Sequence, residues 1–401
     1  MFKSALPGFR DFYPQELAER AFIMATWRDV ARRYAFVEYD GPPLEPLDLY
    51  TKKSGDEIVG QLYNFVDKGG REVALRPEMT PTVARMVAAR ANALRKPVRW
   101  FSMPQLFRYE RQQKGRLREH YQLNVDIFGS AEVAADAELM ACAVDMMRAF
   151  GLTSSDVVAR VSDRRILQAF LESLGVPHGA VDGVYAVVDK LERQPAQLSA
   201  EKLSALGVPA ESLERIVTIA DVQLAEVEQR LASTPAAARV AEFAAFLRYV
   251  ETLLGDDASW LRLDLSIVRG LAYYTGIVFE LFDRTGEFRA ICGGGRYDSL
   301  LQSLGGADMP ALGFGMGDVV LGELLRTKGL MNVSSTSADY WISGDDDVSL
   351  ERIMREAATL RAEGHSVEYA LRAQSLNKQK KAAQASGARS FVTLSNDGTN
   401  G

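Results

Sequence analysis

One stretch, residues 107–129 (FRYERQQKGRLREHYQLNVDIFG), limits the fold of this chain more than any other. Its side chains alternate with a period of two, the mark of strands rather than of a helix. Phe107 and Tyr109 fall on one side, Arg108 and Glu110 on the other. Further on, Tyr121, Leu123, Val125 and Ile127 make an apolar face opposite His120, Gln122, Asn124 and Asp126. Between the two runs, residues 112–118 carry Lys114, Arg116 and Arg118 around Gly115. The spacing predicts an antiparallel hairpin with a patterned polar face and a cationic tip. Two uses of that face stay open: it can simply meet water, as half-buried sheets do, or it can bind a charged ligand.

The rest of the chain supplies a frame for such a hairpin. A length of 401 residues leaves room for two or three domains with a well-buried core. The net charge of −6 means that any nucleic-acid surface must be a local basic patch. Cys142 and Cys292 are the only cysteines, and His120, His178 and His365 are scattered, so neither a disulfide framework nor a metal site is expected. The opening MFKSALPGFRDFYP lacks a signal-like apolar core, and no apolar run is long enough to span a membrane; the chain reads as soluble and cytoplasmic.

Residues 14–34 have the apolar stripe of a helix, with Pro14 at its first position. GPPLEP at 41–46 is an extended turn that cannot be helical. Residues 73–87 (VALRPEMTPTVARMV) predict a short strand, a break at Pro77 and a helix capped by Thr80 with Pro81 just inside. Glu78 sits in the break, where it either faces a ligand or serves as a solvated acid. Residues 132–150 read as a helix stopped by Gly151, its methionines filling core. From 160 to 255 the chain is helical and Ala/Leu/Glu-rich, with no residue type that points to chemistry. In LDLSIVRGLAYYTGIVFELFD (263–283), Arg269 is expected at a strand end beside Gly270, which is either an anion clamp or a salt-bridged sheet residue. Gly293, Gly294 and Gly295 allow close backbone approach. After a small-polar linker (332–337), strands and helices alternate to the end of the sequence, as in a small α/β domain.

These motifs together resemble the histidyl-tRNA synthetases, a class II aminoacyl-tRNA synthetase family. FRYERQQKGRLREHYQLNVDIFG is similar to motif 2, GPPLEP with Pro42 to motif 1 at the dimer interface, and PALGFGMGDVV to motif 3. Gly8, Asp11 and Pro14 hold the places of the family's opening Gly-x-x-Asp-x-x-Pro pattern. The resemblance implies an α+β catalytic domain built on an antiparallel sheet flanked by helices, with a helical insertion and a small C-terminal α/β domain. It divides the chain at 1–159, 160–255, 256–331, 332–337 and 338–401: catalytic domain, insertion, catalytic domain, linker and an anticodon-binding-like domain.

By the same resemblance, Arg108 and Arg269 are catalytic, and Arg108, Glu110, Arg116 and Arg269 bind ATP. Glu78, Thr80, Gln122, Asp126, Tyr273, Tyr274 and Tyr297 bind histidine. The expected small molecules are histidine, ATP and Mg²⁺, without a resident metal site, and the macromolecular partners are tRNA(His) and a second copy of the chain. The sequence departs from the family where Ala272 replaces a common Asp, and where Val320 stands in place of the motif 3 arginine, leaving Arg116 to carry more of the γ-phosphate. The last domain is expected to be incomplete, since the sequence stops at Gly401 in what reads as a turn, which would weaken anticodon contacts. A non-catalytic member of the superfamily, the regulatory subunit of ATP phosphoribosyltransferase, is the alternative. The α/β module and the standing Arg108, Arg116 and Arg269 argue against it.

Overall fold

The structure is a computed structural model that describes residues 5–51, 60–110, 117–255, 257–269, 274–333, 338–345 and 347–395. It divides into two compact units, one of residues up to Asp11 with Arg20–Met331, the other of Phe12–Glu19 with the chain from Asn332 onward.

The first unit is built on a sheet of nine strands among the described residues. In chain order its strands are β1 (Val37–Glu38), β5 (Val98–Ser102), β6 (Gln105–Phe107), β7 (Glu119–Phe128), β8 (Val157–Asp163), β9 (Leu261–Leu263), β10 (Ile277–Asp283), β11 (Cys292–Arg296) and β12 (Ala311–Gly317). Three short strands, β2 (Leu44–Pro46), β3 (Tyr63–Val66) and β4 (Glu72–Leu75), form a separate sheet. In the large sheet the order is β1-β5-β7-β12-β11-β10-β8-β9, and β6 pairs with β7 beside this path. Its centre is antiparallel as expected; the β1–β5 and β8–β9 pairs are parallel, so the sheet is mixed at both edges.

The hairpin read from the sequence is β6–β7, with Leu106 opposite His120; its first strand stops at Phe107, so residues 108–110, expected to continue it, are irregular, and residues 111–116 of its tip lie outside the described residues. Leu123, Val125 and Ile127 enter the main core against Leu139, Met140, Ala143 and Met147 of the helix Val133–Ala149. The opposite face is not turned to water: Asn124 and Asp126 are buried.

Two expectations shift by a few residues. β8 runs to Asp163, so the helical stretch begins at Arg164, past the boundary expected at 160. Asp163 itself caps that helix, accepting from the Arg165 and Ile166 backbone N–H groups. The helices from Arg164 to Leu253 share the core of the large sheet, with Phe170, Val184, Phe243 and Phe246 buried in it. The helix expected to be capped by Thr80 is Thr80–Arg90, with Met79 in the capping position and Thr80 already inside.

The second unit carries a parallel sheet in the order β14-β13-β15, of β13 (Tyr340–Gly344), β14 (Val367–Tyr369) and β15 (Ser390–Leu394). The helices Leu350–Ala362 and Leu376–Ser386 connect them, the βαβ arrangement that parallel neighbours require. The second ends on Gly387, whose φ of 71° is the left-handed conformation glycine adopts without cost. Lys378, Lys380 and Lys381 are exposed on it.

Candidate active site

Glycine spacing on β11 and β12 prepares the floor of the site. β12 reads Ala-Leu-Gly-Phe-Gly-Met-Gly, so Gly313, Gly315 and Gly317 share one face while Leu312, Phe314 and Met316 bury on the other. Gly313 faces Asp126 and Gly317 faces Gln122 across the β12–β7 pair. A methyl group at Gly313 would run into the Asp126 carboxylate, and one at Gly315 into the Gln122 amide. On β11, one at Gly293 would run into the Arg269 guanidinium. The glycines therefore leave a floor over which Gln122, Asp126 and Arg269 lie flat. The triple glycine, read as a place for a ligand to approach, makes its room first for Arg269 and for neighbouring backbone.

Asp126 lies at the buried end of this floor, 3% exposed. One carboxylate oxygen accepts a hydrogen bond from the hydroxyl of Tyr297, itself 2% exposed. Burial raises the Asp126 pKa to about 7, against the lowering effect of the tyrosine hydrogen bond. Near neutral pH this carboxyl is poised between acceptor and donor. Tyr274 is also buried; burial raises its pKa, Arg269 lowers it by charge and hydrogen bond, and the charge of Glu78, from the break after β4, raises it further.

Arg269 does not sit at a strand end. β9 stops at Leu263 and an irregular segment intervenes, in which Asp264 accepts from the backbone and hydroxyl of Ser266. Arg269 has a φ of 58°, unusual for a residue with a side chain. Its guanidinium pairs with Glu280 of β10 and lies 5.7 Å from the Tyr274 ring. The salt-bridged reading of this arginine thus holds geometrically. Its side chain is 21% exposed.

Arg108 donates through Nε to the Pro77 carbonyl at 2.9 Å, tying motif 2 to the segment that carries Glu78 and Thr80. Its side chain is 28% exposed, with Glu110 4.0 Å away. His120 was read only as part of a polar face. Burial, and then the charges of Arg108 and Arg10, depress its pKa to about 3, so it stays neutral. Arg10 is a second residue that the sequence reading passed over. It pairs with Glu119 at 2.6 Å and with Asp318 at 2.9 Å, while Asp318 also accepts from the Tyr121 backbone N–H. This cluster fastens the start of β7 to the first turn of the helix Asp318–Thr327. The Gly8-x-Arg10 and Gly317-Asp318 pairs were visible signals of it. Val320, at the place of the family's motif 3 arginine, packs against the main core.

The structure thus gathers Gln122, Asp126, Tyr274, Tyr297, Glu78 and Arg269 around one floor, with Arg108 fixed to the break before Thr80. Arg116, Lys114, Gly270, Ala272 and Tyr273 lie outside the described residues.

A family model for histidyl-tRNA synthetase matches residues 8–317. The chain belongs to the histidyl-tRNA synthetase family. It is similar to the histidine–tRNA ligase of Opitutus terrae, 45% identical over 96% of this chain and 89% of the relative. The chloroplastic/mitochondrial histidine–tRNA ligase of Arabidopsis thaliana is 39% identical over 96% of this chain and 79% of its own length. Among solved structures, the histidyl-tRNA synthetase of Nostoc sp. PCC 7120 superposes with a TM-score of 0.85 at 24% identity, covering 99% of this chain and 92% of that one. A Bacillus halodurans structure described as an ATP phosphoribosyltransferase regulatory subunit/histidyl-tRNA synthetase has a TM-score of 0.79 at 22% identity, covering 98% of both chains. At such identities the structures share the fold and do not separate the enzyme from the regulatory subunit. The sequence relatives do: they carry the name of the ligase, and the regulatory alternative is not favoured. This synthetase is a class II enzyme that ligates histidine to tRNA.

Proposed function

We propose that the glycine-cleared floor binds histidine and ATP, and that the named side chains divide the work as follows. Glu78 and Thr80 take the α-amino group. Gln122, Asp126, Tyr273, Tyr274 and Tyr297 surround the imidazole. Arg108 and Arg269 bind the histidine carboxylate and the α-phosphate, with Glu110 and Arg116 on the ATP side. A carboxylate oxygen of histidine attacks the α-phosphorus, pyrophosphate leaves, and the resulting acyl-adenylate passes its acyl group to a ribose hydroxyl of tRNA(His) with loss of AMP. No protein nucleophile is needed. The arginines stabilise negative charge that grows on the phosphoryl oxygens, in a site organised beforehand.

The single observation that carries this reading is the alignment of Gln122, Asp126 and Arg269 over glycines that leave room for them. Glu280 holds Arg269 in place without covering it. Among the described residues no group of three acidic, histidine or cysteine side chains could hold a metal. Mg²⁺ would arrive with the ATP phosphates, with Glu110 the carboxylate on that side.

We assign the helices from Arg164 to Leu253 to the tRNA acceptor end and the chain from 338 to the anticodon region. The exposed Lys378, Lys380 and Lys381 would meet RNA phosphates there. A homodimer would cover the exposed apolar residues Val37, Phe65 and Val66. Among the described residues no helix is long and apolar enough to cross a membrane. Charging of a tRNA(His) transcript across a panel of amino acids tests the assignment. Histidine alone should be esterified, because a site built for polar ring atoms rejects an apolar ring by about 10⁴-fold. Comparable charging with leucine or phenylalanine would contradict it.

A further inference from the structure

We propose that Tyr39 and Ser102 are specificity-determining residues that complete the buried end of the amino-acid pocket beside Asp126. The inference rests on the histidine-pocket reading above and extends it to two residues outside the family's motifs.

Strand register puts them there. Across the β5–β7 pair, Trp100 faces Asp126 and Ser102 faces Asn124, so all four side chains lie on the face that holds the site. Tyr39 follows β1, its backbone N–H bonded to the Phe101 carbonyl at 2.9 Å. Its ring rests against Trp100, with centroids 5.4 Å apart. The phenol lies within the field of that carboxylate: burial, and then the negative charge of Asp126, push its pKa well above the usual tyrosine range, against the lowering effect of a hydrogen bond with Ser102.

Asp126 Oδ2 is buried without a hydrogen-bond partner among the described residues, and the hydroxyls of Tyr39 and Ser102 have none there but each other. Each is buried, and the other oxygen of Asp126 is taken by Tyr297. Buried polar atoms are seldom left unmade, because the loss is not repaid by water. Together they offer one carboxylate acceptor and two hydroxyls that donate or accept. A planar ring with an N–H on one edge and a lone pair on the other satisfies that set; a phenyl or thienyl ring satisfies none of it.

The test is histidine-dependent ATP–pyrophosphate exchange on the full chain, comparing wild type with Tyr39→Phe and Ser102→Ala. With either variant, the KM for histidine should rise about tenfold, while kcat stays within about threefold. Preference for histidine over β-(2-thienyl)alanine should fall by about the same factor. Tyr39→Phe removes a hydroxyl whose one partner among the described residues is Ser102, so its thermal midpoint should stay within a few degrees of wild type, which separates a pocket role from a structural one. An unchanged KM and unchanged preference in both variants, beside an active wild type, overturn this inference and leave the pocket reading standing. A wild type without histidine-dependent exchange overturns both.

Discussion

Asp126 is the residue on which the pocket turns. Its carboxyl is buried, bonded by Tyr297, and raised to about 7 from a usual value near 3.9. On the proposed pocket reading, the ionised carboxylate accepts an imidazole N–H, and protonation weakens it as an acceptor. The KM for histidine should therefore climb about tenfold as pH falls from 8 to 6. In Asp126→Asn that enzyme-side ionisation disappears, leaving only the ionisation of free histidine near 6.5. At pH 8 this variant should lose about a hundredfold in kcat/KM for histidine, the scale of a lost charged partner in a buried site. The sign for folding is opposite. Because the folded pKa lies above the unfolded one, the contribution of Asp126 to stability is full below about 4 and lost as pH rises through about 7. Urea unfolding of both proteins across this range should show the wild type losing stability relative to the variant. Gln122 and Asp126 were legible in the sequence, since the alternation of one strand puts both on one face. Tyr39 and Ser102 were not: their partners are strands away, and only register brings them together.

At the scale of elements, the strands β11 and β12 do the positioning. Their glycines differ in what surrounds them. A methyl at Gly315 meets the end of the Gln122 side chain, which can swing aside. A methyl at Gly294 meets the Gly313 carbonyl at 2.5 Å and Phe314, which cannot. Gly315→Ala should fold with a thermal midpoint within a few degrees of wild type, yet raise the histidine KM about tenfold by displacing Gln122. Gly294→Ala should lower the midpoint by several degrees, about 1–3 kcal/mol of overpacking in the sheet. Equal effects of the two on stability would contradict this division; a thermal scan and one kinetic series decide it. The hairpin, the helices and the alternation of strands and helices in the last domain could all be read from periodicity. The place of Arg269 could not: an apolar run around it reads as strand, whereas Asp264 and Ser266 close a local turn that ends β9 early.

For the molecule as a whole, composition revealed little. A net charge of −6 and ordinary apolar content fit many enzymes; the information lies in a few dense motifs that a single sheet assembles. Residues 122, 269 and 297 are far apart in the chain, and the β7–β12–β11–β10 order draws them together: Gln122 is on β7, Tyr297 follows β11, and Arg269 pairs with Glu280 of β10. The central claim is that this sheet face activates histidine, with Arg269 neutralising the charge that develops at phosphorus. Histidine-dependent exchange of pyrophosphate into ATP, run side by side on wild type and Arg269→Lys, tests it most directly. Wild type should exchange with histidine and not with leucine or phenylalanine. The lysine variant keeps the charge but loses the fork, and should exchange about a hundredfold more slowly with a smaller change in histidine KM. A wild type that shows no exchange, or a lysine variant that is less stable but equally fast per folded molecule, would contradict the account.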